Sequence, residues 1–208
     1  MRLTNMLKIL LGTIVWLSLT AAIAQNSVFE NGVWHKIGIT KPGLYKIDAS
    51  FLSGTLGINL SSLDPRTLKV YGVNGGMLPQ SNARFRHNDP PENSIMGHQT
   101  DDGSMDAGDY FLFYAEGPDQ MDFSNEGKIL YEKNIYSDTA YYFITYGGSM
   151  GKRIALESPY SQNGKIISTF HDIIVHESDE INLQGSGRHW FGDEFSSSKT
   201  LHHEFNYE

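Results

Sequence analysis

The chain contains no cysteine among its 208 residues. That excludes disulfide cross-links, a thiolate zinc site and a cysteine nucleophile within this stretch. Clusters of lysine and arginine are lacking as well, and the formal charge is −8. Phosphates repel such a chain, so no nucleic acid is expected as a partner, and no anionic lipid surface. The zinc-protease pattern H-E-x-x-H does not occur. Gly185-Ser186-Gly187 is a loop that leads to Arg188 and Trp190 and offers no serine-hydrolase signature. There is no internal repeat, no low-complexity linker and, beyond residue 24, no long amphipathic helical pattern.

The one long apolar run, Ile9 to Leu19, is short for a bilayer span. Arg2 and Lys8 precede it, and Ala22-Ile23-Ala24 follows with the small residues that signal peptidase requires. Residues 1–24 therefore read as a cleaved signal peptide, with the exported chain beginning at Gln25 and carrying no transmembrane helix. Cleavage removes two basic and no acidic residues, taking the formal charge from −8 to −10. An exported chain without cysteine must hold its fold by packing or by metal.

What is abundant is aromatic residues, at 12%, and glycine, 21 in number, a composition suited to strands joined by tight turns. Strands are expected at Val33–Ile39, Leu44–Ile47 and Leu68–Tyr71, with turns at Lys41-Pro42-Gly43 and Asp64-Pro65-Arg66. Asp48 is placed to cap a short helix running through Leu52. Residues 80–109 form a polar interval long enough to suggest a functional or mobile loop. Tyr110–Ala115 and Ala140–Tyr146 read as strands buried on both faces. Ile154–Leu156, Lys165–Ile167, Ile173–His176 and Thr200–Glu208 are expected to add further strands. The last of these stops in mid-pattern, as a truncated fragment would. The expectation is a mostly β, β-sandwich-like N-terminal domain with short helical insertions over 25–184, followed by the start of a second β-domain over 185–208.

Several phrases occur in a distinctive order. Gly43-Leu44-Tyr45-Lys46-Ile47 is followed by Leu68-Lys69-Val70-Tyr71-Gly72 and Gly75-Gly76-Met77-Leu78-Pro79. The run from Asp106 to Pro118 (DAGDYFLFYAEGP) comes next, then Tyr136-Ser137-Asp138 ahead of Tyr141-Tyr142-Phe143, and finally Ser186 to Phe195 (SGRHWFGDEF). In this order they resemble the N-terminal region of the type IX secretion system sortases, the PorU family of gingipain-like cysteine peptidases. The resemblance runs from about Ser27 to the end. It implies a longer parent whose Cys–His catalytic domain lies downstream, so no catalytic residue carries over to this chain. It further implies a parent that removes C-terminal signal domains from exported cargo proteins and supports their attachment to the cell surface. Such a parent works at the outer membrane of a Gram-negative bacterium with the barrel protein PorV. The rival reading is a stand-alone adhesin or glycan-binding β-sandwich, which a stop codon after Glu208 and aromatic platforms would favour.

Two sets of residues are candidates for a site. Asp102, Asp106 and Asp109 lie close together around Gly103, as a Ca²⁺ loop requires. In an EF-type alignment, however, His98 takes the first position and Thr100 the third, and a strand follows where a helix belongs. The competing account is a turn whose Asp side chains accept backbone N–H bonds. Arg188, Trp190 and Asp193 fall where the family passes from one β-domain to the next. There an ion pair and a buried indole would pack the two together. The eight histidines suggest metal less readily. Neighbours such as His202 and His203 point to opposite faces of a strand, as do His171 and His176 across an odd interval. Strand-face or solvated positions account for them.

Overall fold

The computed structural model describes residues 27–73, 75–124, 127–155, 168, 174–185, 187, 190–194 and 198–204. Its contacts divide the chain into two units, one of residues 1–120 and 134–154 and another of 121–133 and 155–208. Residues 174–185 belong with the second unit. The expected signal segment, residues 1–24, lies outside the described residues, among which no helix is long and apolar enough to cross a membrane.

The first unit is mostly β, with antiparallel pairing throughout its two sheets and short helical insertions. Its strands are β1 (Trp34–Ile39), β2 (Gly43–Asp48), β3 (Lys69–Tyr71), β4 (Glu92–Asn93), β5 (Met96–His98), β6 (Tyr110–Ala115) and β9 (Ala140–Thr145). One sheet has the order β1-β9-β3-β4, and the other has the order β2-β6-β5. Trp34 pairs with Thr145 across β1 and β9, and Gly43 pairs with Ala115 across β2 and β6. Turn chemistry sets the connections. The Asp48 carboxylate accepts from Phe51 N at 2.9 Å and starts the wide helical turn Phe51–Thr55. This bond holds the Asp48 carboxyl below the usual carboxylate range against the opposing effect of desolvation, and Lys46 adds to it. Asp64 caps Pro65–Thr67 in the same way through Arg66 N.

Inward-facing side chains of both sheets form a single core. β9 gives Tyr142 and Ile144, β3 gives Val70, β2 gives Ile47, and β6 gives Phe111, Phe113 and Ala115. Tyr142 meets Phe113 edge to face, with ring centroids 5.7 Å apart. Full burial of an aromatic or aliphatic side chain of this size contributes roughly 1.5–3 kcal/mol.

Three local expectations are corrected. β6 and β9 are not buried on both faces, since Tyr114 and Tyr141 remain 59% and 47% exposed. An antiparallel sheet can leave one face to water, and the outer aromatics here gain cations instead. Lys36 Nζ lies 3.4 Å from the Tyr141 ring centroid and Lys46 Nζ lies 4.9 Å from that of Tyr110. The polar interval is not one loop, because β4 and β5 lie within it and flank the fully buried Ile95. Strands of two and three residues are too short for their alternation to show in the sequence. Finally, Ile154–Ala155, Ile174–His176 and Thr200–Glu204 form no strand, while 156–167, 173 and 205–208 lie outside the described residues.

The second unit, from residue 121, contains all but the first residue of the two-stranded sheet of β7 (Gln120–Phe123) and β8 (Ile129–Glu132). An isolated antiparallel bridge joins Ile181 to Phe191.

Candidate functional site

The acidic loop leads into β6 and is built by its own carboxylates. Asp102 Oδ1 accepts from Ser104 N at 3.0 Å, and Ser104 Oγ donates within 3.2 Å of Asp102 Oδ1 and 3.1 Å of Asp106 Oδ2. Asp109 is buried, and its Oδ2 accepts from Asp106 N at 2.7 Å while its own N–H donates to Asp106 O at 3.1 Å. Gly103 has a φ of +91°, a conformation that side chains with a Cβ disfavour. Gln99, at φ 56°, holds the same left-handed region without being glycine. Asp101, Asp102, Asp106 and Asp109 together line an open depression with Gln99 and Gly108.

One cation that the sequence reading did not connect to this loop stands beside it. A Cβ on Gly103 would lie 3.2 Å from Arg66 Nη2. Arg66 forks onto Asp64, Nε to Oδ1 at 2.9 Å and Nη2 to Oδ2 at 2.8 Å. Its affinity for its proton is raised chiefly by the Asp64 hydrogen bond, with Asp101 and Asp102 adding further attraction. The expected Ca²⁺ position one is His98, whose ring stacks on Tyr110 at 4.6 Å. With carboxylate oxygens engaged by N–H and hydroxyl groups, melting curves in Ca²⁺ and in Mg²⁺ at equal ionic strength are expected to coincide. A rise specific to Ca²⁺ that Asp106→Ala abolishes would establish an ion in the loop instead.

The second candidate set is only partly visible, since Arg188 lies outside the described residues. Trp190 is 43% exposed, with its Nε1 donating to Gly187 O at 3.4 Å. Asp193 lies against imidazoles: Oδ2 is 2.9 Å from His203 Nε2 and 3.6 Å from His176 Nε2.

No family model matches this chain, and no curated protein matches it. Among solved structures, it is similar to the dimeric latent PorU from Porphyromonas gingivalis, with a TM-score of 0.46 and 24% identity over 62% of this chain. The matched part spans 11% of that protein's chain.

The phrases that carry the sequence resemblance can also be located. Three of them meet at Tyr142, which lies on the phrase Tyr141-Tyr142-Phe143. Its hydroxyl accepts from Glu116 N at 2.9 Å and donates to Glu116 O at 3.2 Å, clasping the end of the Asp106–Pro118 run. Its ring covers Gly72, where any Cβ would collide with it. Burial raises the Tyr142 phenol above its ordinary pKa.

Proposed function

We propose that this chain is a non-catalytic N-terminal part of a type IX secretion system sortase. What supports the reading is the ordered set of phrases, together with the packing of three of them on one residue. A Gly at 72, a Tyr at 142 and the Glu116-Gly117-Pro118 corner are mutually dependent. Gly72 leaves room for the ring, and the phenol reaches the corner's backbone. Phrases with that interdependence mark a structural module rather than a peptidase centre, which needs an activated nucleophile. On this reading the parent carries a gingipain-like Cys–His domain downstream and cleaves C-terminal signal domains from exported cargo. It acts at the outer membrane beside PorV, and this β module is part of its exported scaffold.

The reading frame beyond codon 208 tests the proposal. A continuing frame that encodes a gingipain-like domain with paired Cys and His is the expected result. A stop codon at that point, or a continuation into an unrelated domain, would overturn it.

A further inference from the structure

Three side chains that share no motif meet in the second unit. His176 Nε2 and His203 Nε2 lie 3.6 and 2.9 Å from the same oxygen, Asp193 Oδ2. The two rings are 3.9 Å apart between centroids and tilted by 41°, so they converge on the carboxylate without lying flat on each other. Donor atoms of all three residues fall within 4.8 Å of one another. Tetrahedral zinc, with bonds of about 2.0–2.1 Å, holds its ligand atoms roughly 3.4 Å apart. The two measured separations from Asp193 bracket that value.

The backbone explains the convergence. The Ile181–Phe191 bridge is closed by Phe191 N to Ile181 O at 2.8 Å and Ile181 N to Phe191 O at 2.9 Å. Just beyond it, a Cβ on Gly192 would lie 2.9 Å from Ser178 O, so the residue there must be small for the segments to approach so closely. The approach brings Asp193 back beside the segment that carries His176. Residues 198–204 then supply His203 from a third segment.

A second observation makes a metal cross-link useful here. Among the described residues, every buried apolar side chain belongs to the first unit, while Leu130, Leu183, Trp190 and Phe191 of the second are exposed. Small units with little apolar burial generally depend on disulfides, metals or association, and this chain has no cysteine. A metal that binds only the folded arrangement contributes its binding free energy to folding.

We propose that His176, Asp193 and His203 bind a zinc ion, with two imidazole nitrogens, one carboxylate oxygen and one position left to water. Imidazole donors select zinc and its transition-metal neighbours over Ca²⁺ and Mg²⁺, which prefer all-oxygen sites. His176 and His203 are exposed and Asp193 is half-buried, so an ion can enter from solvent. The neighbouring His202 is not part of the set.

The test uses the full chain, stripped by chelator and titrated with zinc chloride in a calorimeter. One ion per chain is expected. His176→Gln and His203→Gln should each weaken binding by more than about 100-fold, the upper end of what outer-shell partners cost. His202→Gln should leave it unchanged. Circular dichroism of each metal-free variant, matched to the metal-free native chain, separates a lost ligand from a lost fold. Cobalt loaded into the native chain gives a readout that needs no variant: intense visible bands of four-coordination are expected. Zinc binding no tighter than the millimolar range, an equal effect of His202→Gln, or the weak bands of six-coordinate cobalt would each overturn the proposal.

Discussion

Tyr142→Ala is expected to destabilise the first unit by about 3–5 kcal/mol, the cost of truncating a buried aromatic. The side chain is fully buried, its ring packs edge to face on Phe113, and its hydroxyl holds both polar groups of Glu116's backbone. Truncation therefore opens a cavity and strips a backbone N–H of its acceptor. Tyr142→Phe isolates the second effect, with an expected loss of about 1–3 kcal/mol. Gly72→Ala strikes the same contact from the other side, because its methyl would run into the ring, and overpacking of this kind costs about 1–3 kcal/mol. The Gly72 and Tyr142 substitutions should be non-additive, since removing the ring removes the collision. Urea denaturation of the full chain measures all of these. A Tyr142→Ala variant within about 1 kcal/mol of the native chain would show that the clasp does not hold the unit together.

The second large effect is expected at Arg153, which lies outside any strand. Its guanidinium donates to four carbonyls: Pro65 O and Arg66 O at 2.9 Å, and Leu68 O and Lys152 O at 3.1 Å. It also covers the Phe111 ring, with Cζ 5.0 Å from the centroid. Burial pulls its pKa below the ordinary arginine value, with Glu92 and Asp101 pulling the other way. Gly151 makes the approach possible, because a Cβ there would meet Leu68 O and the Arg153 head. Arg153→Met keeps the apolar stem and leaves the carbonyls short of donors, so a loss of about 2–4 kcal/mol is expected. Arg153→Lys keeps the charge, yet a compact ammonium cannot reproduce the planar fork. It should recover less than half of the loss. If the lysine variant unfolds at the native urea concentration, charge rather than the fork geometry secures this corner.

Two charged residues near the acidic loop act quite differently from each other. Arg66 faces the loop from outside, and its fork with Asp64 is largely exposed, where ion pairs contribute little. Asp109 is buried and holds a backbone N–H, so its carboxylate is a structural part of the turn. The sequence placed these carboxylates together, because they are close along the chain. Their division of labour depended on burial, which spacing alone does not show.

Local chemistry by itself determined a good deal of this protein. The capping carboxylates of Asp48 and Asp64 act within three residues of their targets, and the strands at Trp34–Ile39, Gly43–Asp48 and Tyr110–Ala115 lie in segments rich in β-branched and aromatic residues. The mostly β character follows from these. Only the tertiary structure decided which faces were buried, because that depends on what the opposite sheet presents. It also revealed β4 and β5, whose two and three residues become strands only through pairing with β3 and β6. The trio His176, Asp193 and His203 was illegible for the same reason. Sequence reading compares side chains within one strand or one motif, and there the histidines point apart. A hairpin bridge and a returning segment bring them to one carboxylate oxygen across 27 residues of chain, and no local spacing encodes such a meeting.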